Sequence, residues 1–109
     1  MSLSLSNNKN KVRSLLEQAY ASRVSDLKQS DALASEALAI SRKLHDKELI
    51  AKSLCALSLY HMIMGDYAKS TKMAEDALQY FKDLGDDKGM ADAKYTLAGI
   101  YYKTDNFHL

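Results

Sequence analysis

The residues most suited to chemistry lie in the segment LYHMIMGDYAKS, residues 59–70, which holds a histidine and two methionines beside a Gly-Asp pair. Imidazole and thioether groups are ligands for soft metal ions, so the segment raises the question of a metal or cofactor site. A metal site needs three or four donors, and no carboxylate or second histidine lies three or four residues from His61. We therefore interpret His61 as a packing residue, and predict no metal ion and no cofactor.

Other side chains that could do catalysis form no local motif. Cys55 is the only cysteine, and the acidic pairs at 75–76 and 86–87 are interpreted as a solvated helix face and a helix cap. No glycine-rich loop that could hold a phosphate is present in the sequence. We predict that the chain is not an enzyme.

The composition favours a single all-α domain. The chain has 109 residues, of which 47% are hydrophobic, with 4 glycines and no proline. Its 15 basic residues nearly balance 14 acidic ones, so no charge excess would attract nucleic acid. The first residues lack the apolar core of a signal peptide, and no stretch reaches the roughly 18 apolar residues of a membrane span. We expect a cytoplasmic protein that binds neither nucleic acid nor membrane.

The chain repeats itself at an interval of 40 residues. Nine residues of the segment 26–69 recur unchanged in 66–109, namely Asp26, Ser30, Ala34, Ala37, Leu38, Leu44, Asp46, Ala51 and Leu57. Aspartates at 26, 46, 66 and 86 can cap helices, and the glycines at 65 and 85 can end them. These signals predict helices at 8–24, 27–44, 47–64, 67–84 and 87–104, with a sixth beginning at Asn106 and Phe107.

Small residues mark the contact face of alternate helices. Ser30, Ala34 and Ala37, repeated 40 residues later as Ser70, Ala74 and Ala77, lie on one face at spacings of four and three. A single hairpin of two such helices cannot bury its apolar face, so neighbouring hairpins must stack. The sequence thus predicts antiparallel helical hairpins packed side by side.

The second copy resembles the tetratricopeptide repeat (TPR) family in its 40-residue form. The matching positions are Leu57, Ser58, His61, Gly65, Tyr67, Ser70, Ala74, Ala77 and Leu78. The third copy matches through Leu97, Ala98, Tyr101 and Phe107, but has Asp105 where glycine is usual. The first copy, with Leu16 and Tyr20 at the leucine and aromatic positions, is similar to repeats at the N-termini of bacterial signalling proteins. This first copy lies one residue out of step with the 40-residue interval.

The resemblance implies a right-handed α-solenoid of five helices and the start of a sixth. Residues 1–8 are expected to be a tail, disordered or left by cloning, before a TPR-like domain at 9–109. Its repeats would span about 9–44, 47–84 and 87–109, the last incomplete. Because the last repeat stops at the beginning of a helix, we expect the natural protein to be longer.

The resemblance also implies a concave groove lined by the first helix of each hairpin. Carried onto this chain, the groove positions are Cys55, Leu59, Met62, Ile63, Tyr95, Gly99, Tyr102 and Lys103, joined more loosely by Ser14, Gln18, Ala21 and Ser22. Lysine and asparagine are absent from the positions that clamp a peptide carboxylate in some members. The same apolar stripe could instead pack against an adjoining helix or a second subunit.

Two functions follow as hypotheses. In the first, the chain is a scaffold module that binds a peptide or protein segment in the groove. In the second, it is a regulatory or dimerising N-terminal segment of a bacterial signalling enzyme such as a sensor kinase or cyclase. The exposed apolar face expected on the last helix also predicts a homodimer through the incomplete C-terminal repeat.

Overall fold

The computed structural model describes residues 2–104, with side chains from residue 5 onward, and the described chain is all-helical. Five helices follow one another: α1 (Ser2–Ser22), α2 (Leu27–Lys43), α3 (Lys47–Met64), α4 (Tyr67–Leu84) and α5 (Asp87–Lys103). The all-α prediction is confirmed, and the predicted boundaries of α2 to α5 hold to within one residue. The predicted sixth helix lies outside the described residues.

An aspartate begins each helix from α2 to α5. Asp26, Asp46, Asp66 and Asp86 are the N-cap residues, and each accepts a backbone N–H three residues further on. The distances from N to Oδ1 are 3.0, 3.1, 3.4 and 2.9 Å in that order. These bonds satisfy N–H groups that have no partner within the helix, which explains why each helix begins where it does.

Three helices end in the same left-handed turn. Gly65 and Gly85 have φ values of 87° and 69°, and His45 occupies the corresponding position with φ 54°. In each case the following aspartate N–H bonds the carbonyl five residues back, as in Asp66 to His61 at 2.9 Å. This is the Schellman arrangement, which glycine adopts without steric cost and histidine does not.

The five helices form two layers. Each helix packs on the next along the chain, and α3 also contacts α1 and α5. The odd-numbered helices therefore lie side by side, with α2 and α4 packed behind them. One core cluster joins α3, α4 and α5 around Ile50, Leu54, Phe81 and Ala93. Two others join α1, α2 and α3, and Leu49, Leu57 and Tyr60 are almost completely buried there.

Buried serines hold the two helices of each hairpin close together. The Ser30 hydroxyl donates to the Ala19 carbonyl, and the Ser70 hydroxyl donates to the Ser58 carbonyl, both at 2.6 Å. The donors are 40 residues apart, whereas the acceptors are 39 apart. The 40-residue repeat therefore extends to α1 with a shift of one residue.

That shift corrects the predicted role of Tyr20. Ala19 is fully buried, whereas Tyr20 is 54% exposed. The prediction pairs Tyr20 with His61, 41 residues later, whereas the serine hydrogen bonds pair Ala19 with Ser58, 39 residues later. The two registers differ by two residues, about 200° around a helix, which takes Tyr20 out of the hairpin interior. The link between α1 and α2 is also longer than the later turns and has no left-handed residue.

Residues 2–8, for which the sequence predicts a tail, belong to α1. No glycine or proline interrupts this segment, so a helix anchored by buried Val12 and Leu15 can continue toward the N-terminus. The Lys9 ammonium lies 3.2 Å from the Asp46 carboxylate and joins α1 to the start of α3. Burial acts to raise the pKa of Asp46, but the Leu49 N–H and Lys9 outweigh it and hold that pKa below its usual value.

None of the described helices combines the length and the apolar character that a membrane crossing requires.

Candidate functional site

A groove opens on the face formed by α1, α3 and α5. It has a volume of about 440 Å³, and its floor is α3. The lining residues are Tyr20 from α1; Lys52, Cys55, Ala56 and Leu59 from α3; Phe81 from α4; and Lys88, Asp92, Tyr95 and Thr96 from α5. We call this surface the α1–α3–α5 groove. A volume of this size lies within the range of small-ligand and side-chain pockets.

The floor of the groove is apolar and its rim is aromatic. Cys55, Ala56 and Leu59 are partly buried along α3. Tyr20 and Tyr95 lie on the flanking helices and are 54% and 73% exposed. Tyrosines at such a rim offer large contact area with few rotatable bonds, which is the character of residues that dominate protein interfaces.

Three of the eight groove residues expected from the sequence line this groove: Cys55, Leu59 and Tyr95. Ile63, Tyr102 and Lys103 are exposed nearer the C-terminal ends of α3 and α5, outside the groove lining. The structure thus brings Cys55, Leu59 and Tyr95 together and leaves Ile63, Tyr102 and Lys103 at one end of the same face.

Met62 and Gly99 pack against each other. Met62 is only 8% exposed, and its sulfur would lie 2.8 Å from a Cβ placed on Gly99. The absence of a side chain at Gly99 lets Met62 fill the space between α3 and α5. Met62 therefore belongs to the interior, in place of the ligand-facing position expected for it.

Several lining residues were missed in the sequence. Tyr20 was placed in the core because α1 was read in the wrong register, and Ala56 lies beside the expected position 55 on the same helix. Lys52 and Asp92 continue the same face one turn toward the N-termini of α3 and α5, and Lys88 continues it by two turns. The spacing of four residues from Lys88 to Asp92, and from Asp92 to Thr96, was a signal that could have identified them.

The charged residues of the groove are paired within their own helices. The Lys52 ammonium lies 3.1 Å from Glu48, and the Lys88 ammonium lies 3.2 Å from Asp92. These are exposed pairs one helical turn apart, which contribute little to stability. Their effect on the groove is to leave its end polar but without a large net charge.

The groove cysteine is a neutral thiol at physiological pH. Burial raises the pKa of Cys55 to about 11, with a further upward contribution from Asp92 and a downward one from Lys88. A thiol acts as nucleophile or metal ligand in its thiolate form, which this environment disfavours. Cys55 thus contributes apolar surface to the floor.

Near the α1 end of the groove, Arg23 stacks on Tyr20. The guanidinium carbon lies 3.6 Å from the ring centre, and Nη1 donates to the Tyr20 carbonyl at 2.7 Å. Burial raises the pKa of neighbouring Tyr60 to about 12, although Arg23 acts in the opposite direction. The stacked pair holds the Tyr20 ring in place at the rim.

His61 lies away from this groove, where α3 meets α2 and the start of α4. It is 7% exposed, with Nε2 3.1 Å from Asp31 Oδ1 and Nδ1 3.7 Å from Asp66 Oδ2. Across the described residues, no group of three or more His, Cys, Asp or Glu side chains has the arrangement of a metal site. His61 is therefore a buried link between hairpins, in agreement with its predicted packing role.

Comparison of the chain with protein-family models, with curated proteins and with solved structures gives no match.

Proposed function

We propose that this chain is a TPR-like interaction module, with hairpins stacked as a right-handed α-solenoid, that binds a peptide or protein segment in the α1–α3–α5 groove. The proposal includes a cytoplasmic setting and no catalytic activity. One observation supports it most strongly. Tyr20 and Tyr95, both well exposed, flank an apolar floor in the groove formed by α1, α3 and α5. A surface of this kind recognises apolar side chains.

The chemistry of the walls defines the segment that the groove accepts. The lysines at its polar end each have an acidic partner one turn away, so this end carries no excess positive charge to hold a carboxylate. The floor of Cys55, Ala56 and Leu59 favours an aliphatic or aromatic anchor residue. The bound segment is thus one whose affinity comes from one or two apolar side chains between Tyr20 and Tyr95.

The stacked hairpins make the groove a pre-formed surface. Its three helices are joined by core clusters on the opposite side, and its floor helix α3 contacts both α1 and α5. A rigid site loses less conformational entropy on binding than a flexible one. This arrangement supports recognition by a surface over catalysis by converging side chains.

Selection from a phage-displayed library of random 12-residue peptides tests the proposal. Enriched peptides are synthesised, labelled and titrated with the wild-type chain, Tyr95→Lys and Tyr101→Lys, with fluorescence anisotropy as the readout. Tyr101 is a matched control because it lies on the same helix, is 52% exposed and does not line the groove. All three proteins should have the same helical content by circular dichroism.

We expect enriched peptides with apolar anchors that bind the wild type and Tyr101→Lys equally and bind Tyr95→Lys at least about tenfold more weakly. Selection that enriches no binding peptide would overturn the proposal. So would peptides that bind Tyr95→Lys as tightly as the wild type, because their site would then lie elsewhere.

A further inference from the structure

Arg23 is a fixed positive charge at the α1 end of the groove. Its guanidinium carbon lies 3.6 Å from the centre of the Tyr20 ring, and its Nη1 donates to the Tyr20 carbonyl at 2.7 Å. Arg23 is partly buried, whereas Val24 and Ser25 beside it are exposed. The stacking and the hydrogen bond therefore hold the guanidinium in one place next to a lining residue of the groove.

The Arg23 charge has no acidic partner within the described part of the chain. The ion pairs there involve five lysines and His61, and none involves Arg23. Asp26, three residues along the chain, instead caps α2 and accepts the Gln29 N–H at 3.0 Å. Burial raises the pKa of neighbouring Tyr60 to about 12, so its hydroxyl adds no negative charge at physiological pH. The guanidinium thus keeps further N–H donors for a group outside the chain.

The lysines that line the groove differ from Arg23 in this respect. Lys52 lies 3.1 Å from Glu48. Lys88 lies 3.2 Å from Asp92. Each of these lysines has an acidic neighbour one helical turn away, so the unbalanced positive charge beside the groove is that of Arg23.

We propose that the segment bound in the groove carries an aspartate or glutamate side chain within two residues of its apolar anchor, and that Arg23 binds the carboxylate. This inference rests on the proposed function, since it concerns the same groove. A guanidinium can bind a carboxylate through two parallel N–H···O bonds, and it is more weakly hydrated than an ammonium. Arg23 is then a specificity-determining residue, which selects among the apolar segments that the floor accepts.

The distances fit an acidic residue close to the anchor. An apolar anchor in contact with the Tyr20 ring lies about 4 Å from it. Because Arg23 lies 3.6 Å from the same ring, the anchor and the guanidinium are separated by about 8 Å at most. Neighbouring Cα atoms are about 3.8 Å apart, so a side chain one or two positions from the anchor can reach Arg23.

A side chain, and not the end of the bound segment, supplies the carboxylate. A terminal carboxylate is typically held by a nest of backbone N–H groups. The lining residues nearest Arg23 are Tyr20, Ala56 and Leu59, which lie inside α1 and α3. Their backbone N–H groups are already bonded within these helices, so Arg23 acts alone and suits a flexible acidic side chain.

A double-mutant cycle between the chain and a bound peptide tests the inference. A peptide from the library selection, shown to bind in the groove by its loss of affinity for Tyr95→Lys, is synthesised with an amidated and with a free C-terminus. Each form is also made with its acidic residues replaced by the corresponding amides. The wild type, Arg23→Gln and Arg13→Gln are titrated by fluorescence anisotropy. Arg13 is the matched control, because it lies on α1, bonds Asn10 at 3.3 Å and does not line the groove.

We expect enriched peptides to carry an acidic residue within two positions of the apolar anchor. Arg23→Gln should bind the acidic peptide about fivefold more weakly than the wild type and Arg13→Gln do, whereas all three should bind the amide peptide alike. The fivefold difference should shrink when NaCl is raised from about 50 to about 500 mM, because salt screens the charge pair.

Groove-binding peptides without an acidic residue near the anchor would overturn the inference and leave the proposed function intact. Equal losses of affinity for the acidic and amide peptides in Arg23→Gln would do the same, since a displaced Tyr20 would then explain both. The exchange of acid for amide also tests the contact without altering the chain, and unchanged affinity for the wild type would contradict it. A gain that requires a free C-terminus would assign the carboxylate to the end of the segment, against the inference. Selection that enriches no peptide would overturn the proposed function and this inference together.

Discussion

The His61 imidazole and the Asp31 carboxylate meet at 3.1 Å, from Nε2 to Oδ1, and this contact joins α3 to α2. The histidine is buried, whereas the side chain of Asp31 is 36% exposed. Such a contact between successive hairpins resists their separation, because loss of the carboxylate leaves a buried ring nitrogen without its partner.

Replacement of Asp31 by alanine should lower the free energy of unfolding by about 1 kcal/mol. Glu36→Ala is the control, since Glu36 lies on the same helix and forms only an exposed ion pair with Lys11 at 3.5 Å. That control should change stability by less than about 0.5 kcal/mol. Urea denaturation followed by circular dichroism measures both, and equal effects would contradict a structural role for the Asp31 contact.

Ser70→Ala and Ser53→Ala provide a matched pair of buried serines. Both residues are 0% exposed, but Ser70 bonds the Ser58 carbonyl, whereas the Ser53 hydroxyl has no hydrogen-bond partner among the described residues. Ser70→Ala should cost about 1 kcal/mol, and Ser53→Ala should be neutral or slightly stabilising. A larger loss for Ser53→Ala in thermal or urea unfolding would show that the close helix contact has been misplaced.

Larger side chains on the buried face of α4 test the close contact between α3 and α4 by overpacking it. Ala74 and Ala77 are completely buried in α4, so leucine at either position should destabilise the chain by about 1–3 kcal/mol. Ala68→Leu, at an exposed position of the same helix, is the control and should leave stability nearly unchanged. If Ala77→Leu melts like Ala68→Leu, the interior face of α4 has been assigned wrongly.

His45→Gly should stabilise the chain. His45 has φ 54°, a conformation that costs a non-glycine residue about 1–2 kcal/mol. Glycine removes that strain but makes the unfolded chain more flexible, so the expected net gain is about 0.5–1 kcal/mol. The melting temperature should rise by a few degrees; a fall would show that the histidine side chain makes a compensating contact.

The change in the free energy of unfolding at alkaline pH reports on the environment of Cys55. Burial raises its pKa in the folded chain from 9.0 to about 11, so the unfolded chain releases this proton first as pH rises. The stabilisation is complete below pH 9 and is lost progressively between pH 9 and 11. Cys55→Ala should therefore lose less stability across this interval than the wild type, as measured by urea unfolding at several pH values. Equal losses of stability in the wild type and Cys55→Ala would show that the thiol is exposed to solvent.

The helix boundaries could be predicted because the signals are local. Asp46, Asp66 and Asp86 bond N–H groups only three residues away, and Gly65 and Gly85 act on the turn immediately before them. The described part of α1 has no capping aspartate of this kind, so its bound at Ser2 could not be predicted from a local signal.

The groove was harder to predict because its shape depends on contacts between distant residues. Cys55, Leu59 and Tyr95 are groove positions that the resemblance to the TPR family implies, whereas Met62 is buried because Gly99, on another helix, leaves room for it. Tyr20 reaches the rim because the serine hydrogen bond between α1 and α2 spans 11 residues of the chain, whereas the equivalent bond between α3 and α4 spans 12. Neither effect is visible in the spacing of residues along one helix.

Chemical-shift mapping of the ¹⁵N-labelled chain, titrated with a peptide selected from the display library, shows whether the peptide binds in the α1–α3–α5 groove. Binding in the α1–α3–α5 groove should shift the amide signals of residues around Tyr20, Cys55, Leu59 and Tyr95, and leave the exposed side of α2 unchanged. Shifts confined to α2 and α4 would contradict the account.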